Sequence, residues 1–265
     1  MLPDFHVHTD FSGDSETPVT AQIERAIELG MKTICITDHH DIDAPEGDCC
    51  FLLDIPAQQK RLAELKKIYA DRIEILTGIE LGLQCHAKAA IDEVLNTYEF
   101  DFILGSCHYA RGMDPYQPAY FEKLGHDEGY RIFFEATLQR IKQFDDFDSL
   151  GHLDYLVRYE KTQHYDYAPV RDLIDEILQV LIVKNKALEV NSGGFKYGLN
   201  QPNPRLEILK RYRELGGHRI TLGSDAHKPE QLGIGFKETK RLLKACGYDT
   251  LTIFKKRKAI ELPLL

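Results

Sequence analysis

Two histidines one residue apart, His6 and His8, interrupt an apolar run in DFHVHTDFSGDSE, residues 4–16, where a soluble chain normally places valine or leucine. Alternate residues of a strand share a face, so the pair points one way while Val7 turns to the other layer, an arrangement that suits two ligands of one ion. Comparable groups recur downstream: Asp38, His39 and His40 in ICITDHH, Glu80 in LTGIE, His108 in ILGSCHY, His152 in SLGHLDY, Asn191 in ALEVNSGG, and Asp225 with His227 in ITLGSDAH. One such histidine alone is ordinarily a packed or surface residue. A polar group at the close of every apolar run is not explained by packing, and metal binding is the chemistry that unites them. The candidate ligands are His6, His8, Asp14 in the loop SGDSE, His39, Glu80, His108, His152, Asp225 and His227. Imidazole and carboxylate without thiolate favour Zn, Mn or Fe, and nine ligands exceed one tetrahedral ion, so two or three divalent ions are implied.

The elements that must position these residues alternate regularly. Strands are expected over 5–8, 33–37, 73–80, 100–106, 149–152, 187–190 and 219–223. Between them fall helical patterns over 19–29, with Thr17 as cap and Pro18 as first residue, then 57–69, 86–97, 128–144, 169–183, 204–215 and 229–245, the last stopped by Gly247. Such alternation predicts a parallel sheet covered by helices, closed into a barrel or doubly wound, with the candidate ligands at the C-terminal strand ends where sites of such folds are built. No linker, repeat or low-complexity tract divides the chain, so residues 1–265 are expected to form one domain. The basic segment KKRKAIE near the C-terminus reads as a solvated helix face.

Composition bounds the partners. The chain is 43% hydrophobic and 28% charged, an ordinary globular balance, and its net charge of −9 leaves no basic footprint for a phosphate backbone. Nucleic acid is therefore not the expected partner. No N-terminal signal pattern or spanning apolar run is present, which predicts a soluble, cytoplasmic protein. The cysteines at 35, 49, 50, 85, 107 and 246 lack metal-site or secretory context and read as reduced thiols. His86, His126, His164 and His218 lie on expected helices or outer loops and read as surface residues. No feature sets an oligomeric state.

In order, FHVHTDFSGD, ITDHHD, GIELG, SCHY, GHLDY and GSDAH resemble the motifs of the polymerase and histidinol phosphatase (PHP) family, from residue 5 to residue 227. The resemblance implies a distorted (β/α)7 barrel of seven parallel strands with a trinuclear metal centre at its C-terminal mouth. Carried over by position, it puts His6, His8, Glu80 and Asp225 on a first ion, Glu80 bridging to a second held by His108 and His152, and Asp14, His39 and His227 on a third. Asp14 stands where some members carry histidine, which makes the third site harder and more anionic. Within the family, the chain looks most like the monofunctional histidinol-phosphate phosphatases: its length is similar, it has no fused polymerase domain, and Arg158 follows His152 in GHLDYLVRYEK.

The implied reaction is hydrolysis of the small phosphomonoester L-histidinol phosphate, a step of histidine biosynthesis, by a metal-bridging hydroxide attacking phosphorus in line. Arg158 is expected to neutralise charge on the phosphoryl oxygens, His40 to protonate the leaving alcohol or contact substrate, and Asn191 to line the pocket. Asp38, in the T-D-H pattern, is expected to orient a neighbouring histidine instead of binding metal. Asp41, Asp43, Tyr109, Arg111 and Phe195 sit on loops that could touch the substrate. The alternatives are a PHP-type phosphoesterase of broader specificity, acting on nucleotides, oligonucleotides or sugar phosphates, and, more remotely, a metal-stabilised domain without activity.

Overall fold

The computed structural model describes residues 1–44 and 51–264. The cysteines at 49 and 50 lie outside them; Cys35, Cys85, Cys107 and Cys246 are all free thiols, in accord with the reduced reading. The parallel strands are β1 (Thr33–Ile36), β2 (His39–His40), β3 (Glu74–Gly82), β4 (Phe102–Ser106), β5 (Ser149–Leu150), β6 (Ala187–Asn191) and β7 (Ile220–Gly223). They form one sheet in the order β1-β3-β4-β5-β6-β7, with β2 also paired to β3. Thr33 lies opposite Glu74 and His39 opposite Glu80, so β2 resumes the line of β1 in unbroken register after a gap at residues 37 and 38.

The stretch carrying His6 and His8 joins the two edges of this sheet. Asp4 bridges Ile34 beside β1 and Val7 bridges Ala226 beyond β7, both in parallel sense. The Phe5 amide donates to the Leu222 carbonyl and the Cys35 amide to the Asp4 carbonyl, so the sheet curls and this segment spans its opening. Val7 is buried in the outer core between sheet and helices, facing away from the histidines as expected. Phe5 and His6, however, both reach inward: the Phe5 ring meets Phe102, and His6 approaches Glu80. Two neighbours on one face are incompatible with a regular strand, which is why pairing here shrinks to single bridges.

Among the described residues eight helices cover the sheet: α1 (Val19–Glu28), α2 (Ile55–Ile68), α3 (Lys88–Thr97), α4 (Ala119–Leu124), α5 (His126–Gln143), α6 (Arg171–Val183), α7 (Leu206–Glu214) and α8 (Phe236–Ala245). Helix α1 buries Val19, Gln22, Ile23 and Ala26, one stripe at helical spacing. Its Gln22 amide donates to the carbonyls of His8 and Ala226, pinning two rim segments with one side chain. Asp54 caps α2 by accepting from the Ala57 amide. Among the described residues no helix is long and apolar enough to cross a membrane.

Three expectations fail locally. Thr17 does not cap α1, because its hydroxyl donates to the His227 carbonyl instead. The pattern over 229–245 is broken: a single turn at Pro229–Gln231 precedes Gly233 and Gly235, both at positive φ, and α8 starts only at Phe236. KKRKAIE is not a helix face but the turn and return strand of a hairpin, β8 (Thr250–Lys255) against β9 (Lys258–Pro263). Ile253 and Phe254 of β8 are buried with Phe5, Cys35, Leu76, Phe102, Leu104 and Ala187, so the hairpin stoppers the barrel interior at the end opposite the candidate ligands. Arg257 fastens it to Asp146 and Asp148.

Candidate metal centre

Glu80 stands at the centre of the opposite mouth, fully buried on β3. Its Oε1 lies 2.9 Å from His152 Nε2 and 3.1 Å from His108 Nε2, and accepts from the Ser106 hydroxyl at 2.7 Å. Its Oε2 lies 3.2 Å from His6 Nε2, 3.5 Å from His8 Nε2 and 2.8 Å from His39 Nδ1. Asp225 Oδ1 completes the first group at 3.8 Å from His6 Nε2 and 3.5 Å from His8 Nε2. On the outer side Asp14 Oδ2 is 3.0 Å from His227 Nε2 and 3.6 Å from His39 Nε2. All nine candidate ligands from seven separate segments thus converge on one mouth.

Four of the converging atoms, His6 Nε2, His8 Nε2, His39 Nδ1 and Glu80 Oε2, are buried without any hydrogen-bond partner despite these short distances. Buried polar atoms are normally paired, and leaving one unpaired costs about 1–3 kcal/mol. The His6 and His8 Nε2 atoms, 3.2 and 3.5 Å from Glu80 Oε2, are spaced like atoms sharing an ion: ligands at about 2.0–2.2 Å from a tetrahedral centre lie roughly 3.3–3.6 Å apart. The donor set therefore fits divalent cations.

The charge balance agrees. Burial opposes charge on His6, yet Glu80, Glu189 and Asp225 outweigh it and raise its pKa well above the ordinary value; His39 is raised against burial by Glu80 and Asp14. His108, likewise against burial, is pushed up to about 10 by Asp41 and Glu80. His8 goes down, through burial and then the neighbouring His227 and His39. Glu80 and Asp225 stay well below the usual carboxylate range despite burial, Glu80 chiefly through His6 and His39, Asp225 through Lys196 and His6. Surroundings that favour positive charge at His6, His39 and His108 suit a cation in the place of a proton.

Two of these imidazoles are aimed from behind. His8 Nδ1 lies 3.0 Å from the Ser12 hydroxyl, which donates to Asp38 Oδ1 at 3.0 Å, so Asp38 orients a histidine through Ser12. His108 Nδ1 lies 2.9 Å from Asp41 Oδ1. Gly82 makes room for that carboxylate, because a Cβ there would sit 1.9 Å from Asp41 Oδ1. Asp225 adopts φ +57°, a left-handed backbone that aspartate tolerates better than most residues, held by its amide donating to the His6 carbonyl.

Above the cluster opens a cavity of about 530 Å³, lined by Asp14, His39, His108, His152, Asp225 and His227, and walled by Phe51, Tyr109, Tyr116, Tyr155, Tyr159 and Tyr197. Arg158 lines it too, donating from Nε to Asn203, from Nη1 to Asp225 Oδ2 and from Nη2 to Asn191. Of its five N–H groups three are thus engaged, and among the described residues two have no hydrogen-bond partner. Lys196, absent from the residues singled out in the sequence, also lines the cavity, its Nζ donating to the Asp225 carbonyl at 2.7 Å. Its position directly after Phe195 in NSGGFK was the only available signal.

Two expected substrate contacts are not in the cavity. His40 follows His39 on β2 and so faces the opposite way; its Nδ1 accepts from the Leu53 amide in the layer behind, and burial lowers its pKa. Asn191 is fully buried, its Oδ1 accepting from Arg158 and the Gly193 amide and its Nδ2 donating to Glu189, so it supports Arg158 instead of touching a ligand. Asp41 and Tyr109 line the cavity, whereas Asp43, Arg111 and Phe195 do not. His86, His164 and His218 are exposed, and His126 is half-buried beside Glu160, as surface histidines.

A family model described as the PHP domain matches residues 4–193. A histidinol-phosphatase of Lactococcus lactis subsp. lactis is 31% identical over 95% of this chain and 93% of its own length. A probable histidinol-phosphatase of Clostridium acetobutylicum is 32% identical over 97% of this chain and 98% of its own. The crystal structure of the Lactococcus lactis histidinol phosphate phosphatase with zinc, L-histidinol and phosphate superposes with a TM-score of 0.91 at 30% identity, covering 98% of this chain and 100% of that one. With its curled parallel sheet, its convergent ligands and these likenesses over nearly its whole length, the chain belongs to the PHP domain family.

Proposed function

We propose that the protein is a metal-dependent phosphomonoesterase that hydrolyses L-histidinol phosphate to L-histidinol and phosphate in the cytoplasm, with residues 1–265 acting as one barrel domain. The observation that carries the chemistry is the convergence of unpaired His6, His8, His39 and Glu80 atoms under a cavity that also presents Arg158. The choice of substrate is supported by the Lactococcus lactis relative, solved with zinc, L-histidinol and phosphate.

In this reading His6, His8, Glu80 and Asp225 hold one divalent ion, Glu80 with His108 and His152 a second, and Asp14, His39 and His227 a third, of Zn, Mn or Fe. When bound, such ions supply a water acidified toward neutral pH as nucleophile and neutralise charge on the phosphoryl oxygens. Arg158 and Lys196, which line the same cavity, add positive charge for the phosphate. The two free N–H groups of Arg158 suit phosphate oxygens bidentately, and its anchors on Asn191, Asn203 and Asp225 fix the guanidinium before the substrate arrives. The tyrosine wall supplies flat faces for the imidazole-bearing remainder of the substrate. With His40 behind the sheet, release of the alcohol is not assigned to it.

Phosphate release from histidinol phosphate, AMP and a short oligonucleotide, measured after reconstitution with Zn, Mn, Fe or Co, tests the reading. Histidinol phosphate should be preferred by a wide margin in kcat/KM. Equal turnover of AMP would assign the protein to a broader phosphoesterase class instead.

A further inference from the structure

Glu189 lies one layer behind the candidate ligands, on β6, with only 1% of its surface exposed. Among the described residues it pairs with no lysine or arginine. Oε1 is 2.6 Å from His6 Nδ1, while Oε2 accepts from the His152 amide at 2.7 Å and from Asn191 Nδ2 at 3.2 Å. A buried carboxylate is expensive, and here its three hydrogen-bond contacts go to two candidate ligands and to the residue that holds Arg158. Room for it is built in: a Cβ at Gly223 would lie 2.6 Å from Glu189 Oε1 and 2.3 Å from His6 Cβ, so only glycine lets the pair close.

We propose that Glu189 is the positioning residue of the metal centre, acting through His6. With Nδ1 donating to Glu189, the His6 proton is fixed on that nitrogen and Nε2 presents its lone pair toward Glu80 Oε2 and Asp225 Oδ1, where it has no other partner. The carboxylate also makes the imidazole a better donor to a cation. Through Asn191 the same residue closes a circuit: Glu189 to Asn191, Asn191 to Arg158, Arg158 to Asp225, and Asp225 back toward His6. Glu189 therefore fixes the relative placement of one ligand histidine and of the arginine that meets phosphate, without touching substrate itself. Neither its type nor its spacing in ALEVNSGG marks it, since a glutamate inside an apolar strand reads as the outward face.

The inference rests on the metal-centre reading, and the experiment separates the two. Zinc affinity is measured by competition with a chromophoric chelator on metal-free native protein and on the Glu189→Gln and Glu189→Ala variants, with melting of the metal-free forms followed in parallel. Gln keeps the shape but loses the charge, and should weaken the tightest zinc by about 10- to 100-fold while the metal-free protein melts near the native temperature. Ala should weaken it at least as much, and if it fails to fold, Gln alone decides. Native zinc affinity in the folded Gln variant would overturn the role of Glu189 and leave the centre standing. Native protein that takes up no zinc would overturn the centre and this inference with it.

Discussion

Among single residues, Arg158 carries the sharpest consequence. It is nine-tenths or more buried, and a guanidinium there is tolerated only because Asp225 pairs with it and two asparagine carbonyls accept from it; Asp225 and the facing tyrosines raise its pKa against burial. Arg158→Ala should lower kcat/KM on the order of 100-fold, the usual cost of one lost charge-stabilising donor. Competitive inhibition by inorganic phosphate should weaken alongside. A variant inhibited by phosphate as strongly as the native protein would reduce Arg158 to an anchor for Asp225. The spacing of His152 and Arg158 was visible in the sequence. That Asn191 belongs behind Arg158 was not, because strand residues at the rim differ in direction by the details of one bend, and these are set by the Asn203 amide and carbonyl paired with Asn191 across the loop.

At the scale of elements, the C-terminal hairpin decides whether the barrel interior is closed. The Phe254 ring lies tilted against the Phe102 ring, 5.5 Å between centroids, and Phe102 in turn meets Phe5 next to His6. Phe254→Ala should destabilise the fold by about 3–5 kcal/mol, read as a lower urea midpoint at unchanged m-value. A shift below 1 kcal/mol would mean that the hairpin is an appendage. Its misreading has a physical cause. The turn LysLysArgLys is dense in charge, and β9 is exposed along nearly all its length, so the alternation that marks a half-buried strand is missing. The parallel strands were legible for the opposite reason: buried on both faces, they read as continuous apolar runs that stop at a polar rim.

For the whole molecule, the mouth concentrates buried carboxylates and imidazoles that bound cations would balance. Glu80, Asp225, Asp41 and Glu189 are buried around six histidines, several of which are driven to hold protons by that environment. Binding of ions at many times their dissociation constants contributes about 3–4 kcal/mol, so exhaustive chelation should lower Tm on the order of 10 °C and abolish activity. Zinc should restore both. Identical melting with and without chelator would contradict a centre that the fold is built around. The acidic net charge of −9 adds that a long nucleic acid should not compete with a small phosphomonoester for this mouth.

The order of the parallel strands, most of the helices between them and the presence of candidate ligand types at the strand ends followed from the sequence alone, because apolar period and residue type are local properties and a parallel sheet of this kind sends its C-terminal strand ends to one mouth. Tertiary structure alone decided which side chains reach that mouth. His39 and His40 are neighbours of the same type, yet register with Glu80 turns the first toward the centre and the second toward Leu53. Glu189, Asp41 and Lys196 gained their places through contacts with residues tens to nearly two hundred positions away, at distances that no pattern in a single chain encodes.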